Sequence, residues 1–414
     1  MNIKEKILPF LSFSSISLFG QGLVFIFNII VANKLSVEEY GEYSLIISIV
    51  SLILLFTCQW HTSMMQYCGS AEFASSGSVK VTNQIRNTLF IVCFALISIV
   101  CLFFRRKLAL YIGEDLVIII LILSLSKCCQ ELLSSYLIAI GKRQFSVLSI
   151  FIVESICLLL LFILRVSLIN ILLIQIVGNL LCLLLLLPSL SKADFVFERL
   201  SKSEIITPLR FASWQLIGSF AVFLISYGDN FIIKAFLNEN EIGVYNAAYK
   251  IFNALFLASN TIATYYISPL SRALTNKDVL SIKSIFYKER VIIFSACIVL
   301  HILLLCLTPQ LFHLLYSGKY DSSIPIFRML LLASLIRYWV VFEMLFLNSI
   351  GKIRIQQFLN VFSAITKIGI SIILVKKVGI IGVVWGTIIA SGISAFISIV
   401  ITEKDILNRC KARK

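Results

Sequence analysis

Twelve apolar runs, each close to the length of a bilayer crossing, follow one another along the 414 residues, from 8–32 at one end to 379–401 at the other. A helix of about 20 residues spans a hydrocarbon core roughly 30 Å thick, and a backbone in lipid must satisfy its own hydrogen bonds. These runs commit the chain to an all-α, polytopic membrane fold of about 12 transmembrane helices. Composition agrees, since 59% of the residues are hydrophobic and 14% are charged, which excludes a soluble globular domain or a disordered tail. The first run follows Met1-Asn2-Ile3-Lys4-Glu5-Lys6 and continues past signal-peptide length without a small-residue cleavage site, so a retained membrane helix is expected.

Nine ionisable residues lie inside the runs: Lys127, Glu131, Glu154, Asp229, Lys250, Arg328, Arg337, Glu343 and Lys367. A charge at bilayer depth costs about 2.5 to 3.5 kcal/mol on insertion scales, so residues kept there line a wet path, pair, or bind something charged. Five of the nine are cations, which favours an anionic cargo. Lys127, Arg337 and Lys367 fall near the middle of their runs, whereas Lys250 and Arg328 lie in the outer third. A phosphate or pyrophosphate in a low-dielectric passage needs several such cations, and the guanidinium fork of Arg337 suits phosphate oxygens best. Local alternatives stand beside this reading: Glu131, four residues from Lys127, can neutralise it, and Arg328 can snorkel to the interface. Glu131, Glu154, Asp229 and Glu343 are candidates for proton or sodium coupling, or for structural pairing with the cations. Asp229, in YGDNFI, is expected near the outer face and partly solvated.

Two polar stripes recur at helical spacing. Ser14, Ser17, Gln21 and Asn28 share one face of the first run, and Asn246, Lys250, Asn253 and Asn260 one face of the eighth. Such stripes fit helices lining one aqueous cavity, where amides and hydroxyls bind sugar hydroxyls, or else hydrogen bonding between helices.

The search for enzyme chemistry is thin. His61, His301 and His313 share no metal-ligand spacing, and no G-x-S-x-G, P-loop or Gly-rich phosphate cradle occurs. Glu38 and Glu39 read as a helix start. Cys58, Cys93, Cys128, Cys129, Cys157, Cys182 and Cys297 lie within apolar runs, no C-x-x-C spacing occurs, and the cysteines read as small packing groups. No catalytic residue, metal site or cofactor is assigned, beyond the proton or sodium ion that coupling would use. The net charge of +15 is scattered through short loops, which argues against nucleic acid as a partner.

The loops on the side of both termini carry most of the lysines and arginines, so the positive-inside rule places both ends in the cytoplasm. Arg105-Arg106-Lys107 is the one local violation. All six prolines, at 9, 188, 208, 269, 309 and 325, fall at or near run ends, which predicts helices bounded by proline and not broken by it. LSVEEYGEYSL at 35–45 aligns with LNENEIGVYNA at 237–247, and IGKRQFSVL at 140–148 echoes IGKIRIQQF at 350–358, at nearly one offset. The chain therefore reads as an N-terminal six-helix lobe at 1–190, a basic cytoplasmic linker at 191–208, a C-terminal six-helix lobe at 209–402 and a basic cytoplasmic tail at 403–414. Because six is even, the two bundles repeat in parallel about a pseudo-two-fold axis.

These stretches, with GDNFIIKAFLNENEIGVYNAAYKI at 228–251 and KVGIIGVVWGTIIA at 377–390, resemble a Wzx-type polysaccharide flippase of the multidrug/oligosaccharidyl-lipid/polysaccharide exporter superfamily, over essentially the whole chain. The resemblance implies a MATE-like, two-lobed protein of the bacterial inner membrane. Its implied cargo is an undecaprenyl-pyrophosphate-linked oligosaccharide repeat unit of O-antigen or capsule, moved from the cytoplasmic to the periplasmic leaflet by alternating access. It further implies a polysaccharide polymerase and a chain-length regulator as partners, and a cationic cavity for the headgroup, a role carried to Arg337, Lys367 and Lys127 by their position in the helix alone.

Other readings remain open at this level. A drug or metabolite exporter of the same superfamily should have an acid-dominated cavity. A lipid II flippase should have further helices. A membrane oligosaccharide polymerase or glycosyltransferase should carry a large outer loop with catalytic residues, and none is visible.

Overall fold

The computed structural model describes the backbone of residues 3–411 and the side chains of residues 16–408 other than Leu257 and Ile353. Among them there is no strand. Twelve long helices follow in order: α1 (Ile3–Lys34), α2 (Val37–Ser76), α3 (Lys80–Phe103), α4 (Val117–Ala139), α5 (Arg143–Ile163), α6 (Leu168–Leu186), α7 (Lys202–Phe236), α8 (Glu239–Thr275), α9 (Val279–Tyr316), α10 (Ile324–Ser349), α11 (Ile353–Val378) and α12 (Ile380–Lys411). Among the described residues, eleven of these helices, all but α8, are long and apolar enough to cross a membrane. In α8 the polar stripe of Asn246, Lys250, Asn253 and Asn260 dilutes the apolar run.

Each half begins its second helix in the same way. Ser36 caps α2, its hydroxyl accepting from the Glu39 amide at 3.1 Å while the Glu39 carboxylate accepts from the Ser36 amide at 2.7 Å. Asn238 caps α8 likewise, accepting from the Glu241 amide at 3.0 Å. The acidic pair Glu38 and Glu39 is thus helix-start chemistry, which suits the positive end of the helix dipole.

The chain divides into two compact units, Met1–Phe223 and Leu224–Lys414. Within the first, α2 packs on α4, α4 on α6, and α5 on α6. Within the second, α8 packs on α10, α10 on α12, and α11 on α12, which is the same order displaced by six helices. The core of the second unit at one end is aromatic, with Tyr266, Phe286, Phe342 and Phe346 in mutual contact.

Proline bounds the helices only in part: Pro188 follows α6 and Pro325 opens α10, as expected. Pro208, Pro269 and Pro309 lie inside α7, α8 and α9. The reason is length: α7 has 35 residues and α8 has 37, roughly 50 Å at 1.5 Å per residue, so the end of an apolar run is not the end of its helix. Nor is the segment after α6 a loose connector. Asp194 is buried and accepts from the Ser78 hydroxyl at 2.5 Å, the Val79 amide at 3.1 Å and the Tyr136 hydroxyl at 2.8 Å. Glu198 pairs with Lys80, and its amide donates to Gln84 at 3.0 Å. These bonds strap the segment onto the starts of α3 and α4's far end within the first unit.

Candidate functional site

The second unit holds a cavity of about 120 Å³ lined by Arg337 from α10, Asn360, Ser363 and Lys367 from α11, and Thr387, Ser391 and Ser394 from α12. Tyr249, Phe252 and Phe256 of α8 close its apolar side. Close helix contact builds this wall. Gly382 of α12 faces the α11 backbone at Leu374, and a Cβ on Gly386 would meet the Ser371 hydroxyl and come within 2.9 Å of the Lys367 carbonyl oxygen. The small-x-x-x-small pair in GVVWG brings the two helices together.

The two cations on the wall differ in state. Arg337 is exposed, and its guanidinium lies over the Phe256 ring at 5.3 Å. No described carboxylate lies within 4.0 Å of it. Lys367 is 2% exposed, and its ammonium donates to the Ile225 carbonyl at 2.6 Å and pairs with Asp229 at 2.7 Å. Asp229 also accepts from the Tyr245 hydroxyl. Asp229 is therefore not the partly solvated outer residue expected; α7 runs on beyond it to Phe236, and α8 and α11 cover it.

The remaining second-unit candidates part company. Glu343 is fully buried and ion-paired with Arg290, which also reaches Glu403 at 3.5 Å and stacks on Trp339 at 4.3 Å. It does not line the cavity. Asn246 donates to Asn230 at 2.8 Å and to the Ile242 carbonyl at 2.9 Å, which makes it a helix-to-helix bond and not a cavity group. Asn253 bonds Tyr249, Asn260 is exposed, and Lys250 is half-buried; none is among the lining residues. Arg328 is exposed near the start of α10, in keeping with snorkelling.

The first unit holds a separate cavity of about 350 Å³, lined by Gln21 of α1, Lys127, Gln130 and Glu131 of α4, Glu154 of α5, and Gln175 and Asn179 of α6. Lys127 and Glu131 make no ion pair; the carboxylate that interacts electrostatically with Lys127 is Glu154. Gln175 donates to the Tyr43 hydroxyl at 2.6 Å while its buried Oε1 has no hydrogen-bond partner. The α1 stripe is split. Gln21 lines the cavity, Ser17 is half-buried away from it, and Asn28 turns back to the Val24 carbonyl of its own helix at 2.7 Å. Ser14 lies outside the described residues.

Sequence reasoning missed several groups. Asn360 and Ser363 share helical spacing with Lys367, and Thr387, Ser391 and Ser394 share it with one another, which was the available signal. Arg86, at the edge of the third apolar run, is buried and donates to the Leu132 carbonyl at 2.8 Å, Ser135 at 2.7 Å and Asn83 at 2.7 Å. The described cysteines are free, and among the described residues no cluster of three or more His, Cys, Asp or Glu side chains is placed to hold a metal.

The profile of a family described as "Polysaccharide biosynthesis protein" matches residues 10–274. Among solved structures, the lipid II flippase MurJ in an inward closed conformation superposes with a TM-score of 0.79 at 15% identity, covering 96% of this chain and 89% of that one. An inward-facing multidrug resistance MATE family transporter of the MOP superfamily gives 0.77 at 15% identity, covering 94% and 96%. The sequence matches no curated protein. These likenesses establish a polytopic, all-α fold shared with MATE transporters and MurJ.

Proposed function

Since the chain belongs to the polysaccharide biosynthesis protein family, we propose that it is a flippase for undecaprenyl-pyrophosphate-linked oligosaccharide repeat units of O-antigen or capsule. In this reading it sits in the bacterial inner membrane with both termini in the cytoplasm and passes its cargo to the periplasmic leaflet by alternating access. A polymerase and a chain-length regulator receive the product. The observation that carries the reading is Arg337: an accessible guanidinium without a carboxylate partner among the described residues, on the wall of a cavity lined by helices of membrane-crossing length and shared with Lys367. An uncompensated cation in that setting is costly unless an anion visits it. The cavity, of about 120 Å³, has room for a phosphate group.

The first-unit cavity supports the same reading from another side. Gln21, Gln130, Gln175 and Asn179 offer amides of the kind that bond sugar hydroxyls, and Glu131 and Glu154 offer carboxylates for a coupling proton or sodium ion. An acid-dominated cavity would instead favour a drug exporter: the second-unit cavity has no carboxylate among its lining residues, whereas the first-unit cavity sets Glu131 and Glu154 against Lys127.

The test is transfer of a labelled lipid-linked repeat unit in inverted vesicles from a flippase-null strain. Arg337→Ala should abolish transfer, Arg337→Lys should retain part of it, and Arg337→Glu should retain none, because the sign of charge matters more than fork geometry in a wet cavity. Unchanged transfer by Arg337→Ala would remove this residue from the headgroup site.

A further inference from the structure

We infer that Asp229 is an internal competitor for the cargo's phosphate: it holds Lys367 in reserve, weakens headgroup binding and thereby speeds release. This rests on the headgroup reading above. Of the two cations on the cavity wall, Arg337 is uncompensated and Lys367 is balanced by Asp229 at 2.7 Å. The resident groups therefore present one net positive charge to an incoming headgroup. A pyrophosphate diester carries two negative charges, and matching the second requires the Lys367 ammonium to leave the carboxylate.

Asp229 is placed to resist that exchange. It is 1% exposed, its Oδ2 accepts from the Tyr245 hydroxyl, and its Oδ1 has no hydrogen-bond partner. Tyr245 is held in turn by contact with the Tyr249 ring at 5.4 Å between centroids. When Lys367 turns to a phosphate, the carboxylate is left buried without its cation, and that cost offsets part of the new attraction. A carrier benefits from the offset. A passage site must bind well enough to load and weakly enough to empty, and a cavity with two free cations and no competitor would retain a dianion.

Asp229 is thus a positioning residue that acts through Lys367. A purely structural ion pair makes the opposite prediction for affinity, which separates the two roles. The probe is inorganic pyrophosphate, titrated calorimetrically into the purified full chain in nanodiscs. Asp229→Asn keeps the shape and an acceptor for Tyr245, and should bind the probe about tenfold more tightly, since one charge pair at close range is worth at least that much. In transport, the same variant should show a lower KM and a lower turnover. Asp229→Asn combined with Lys367→Gln should lose the gain entirely. Tyr245→Phe leaves the carboxylate free to hold the ammonium harder and should weaken binding.

Equal or weaker binding by Asp229→Asn overturns the inference alone, as does a gain that survives in the double variant, because the effect would then not pass through Lys367. Unchanged or tighter binding by Tyr245→Phe also overturns it. A wild-type chain that binds no pyrophosphate and moves no lipid-linked saccharide overturns the headgroup reading, and this inference with it.

Discussion

Arg290 and Glu343 are ion-paired with side-chain exposures of 4% and 0%, and the Arg290 guanidinium is sandwiched between Trp339 at 4.3 Å and Phe286 at 5.2 Å. Removing Glu343 leaves Arg290 only the longer contact with Glu403, at 3.5 Å. Glu343→Gln should therefore cost about 3 to 5 kcal/mol, read as a fall in the denaturation midpoint of the purified protein. Replacing both with leucine should recover most of that loss. If the double variant is stable and still transports, Glu343 serves packing; if it is stable and inert, Glu343 belongs to ion coupling after all.

The approach of α12 to α11 gives a second expectation. A Cβ at Gly386 would meet Ser371 and the Lys367 carbonyl, so Gly386→Val must push apart the two helices that hold the cavity wall. Overpacking of this kind costs about 1 to 3 kcal/mol. Transport should fall by more than stability alone explains, because the Lys367 backbone moves with the helix. Normal transport in Gly386→Val would show that the wall tolerates displacement.

The strap after α6 depends on one carboxylate. Asp194→Ala removes the acceptor shared by Ser78, Val79 and Tyr136, and orphaned buried donors cost about 1 to 3 kcal/mol. The expected sign is local: trypsin should cut at Lys192, Arg199 or Lys202 several times faster than in the wild type, while cleavage elsewhere is unchanged. Equal cutting rates would mean that Glu198 and its bonds to Lys80 and Gln84 suffice.

In the first unit, Glu154 is the carboxylate that acts on Lys127. Glu154→Gln should remove the response of transport to an imposed proton or sodium gradient, while Glu131→Gln should change it less. The comparison uses proteoliposomes with and without each gradient. A gradient response that is intact in both variants would exclude these carboxylates from coupling.

The helix count and the repeat were legible from apolar runs alone, and so was the presence of charge inside those runs; the one shared cavity expected for Arg337, Lys367 and Lys127 is instead two, with Arg337 and Lys367 on one and Lys127 on the other. Pairing was not legible. Whether Lys367 stands free or is bound to Asp229, 138 positions away in the chain, is decided by how α7, α8 and α11 meet, which no local pattern encodes. The same limit explains Arg86 and Arg290. Both stand at the ends of apolar runs, where a loop is the natural reading, yet helices longer than the runs carry them into the packed interior. Polar stripes misled for a related reason. Asn28 and Asn246 have the spacing of a cavity face, but an amide can just as well close a bond to a carbonyl one turn back or to a neighbouring asparagine.

The matched caps at Ser36 and Asn238 bear on how this protein is made. Each cap is closed by side chains within four residues of itself and needs nothing from the rest of the molecule. The turns that join α1 to α2 and α7 to α8 can therefore close as soon as their own residues emerge, before the later helices exist.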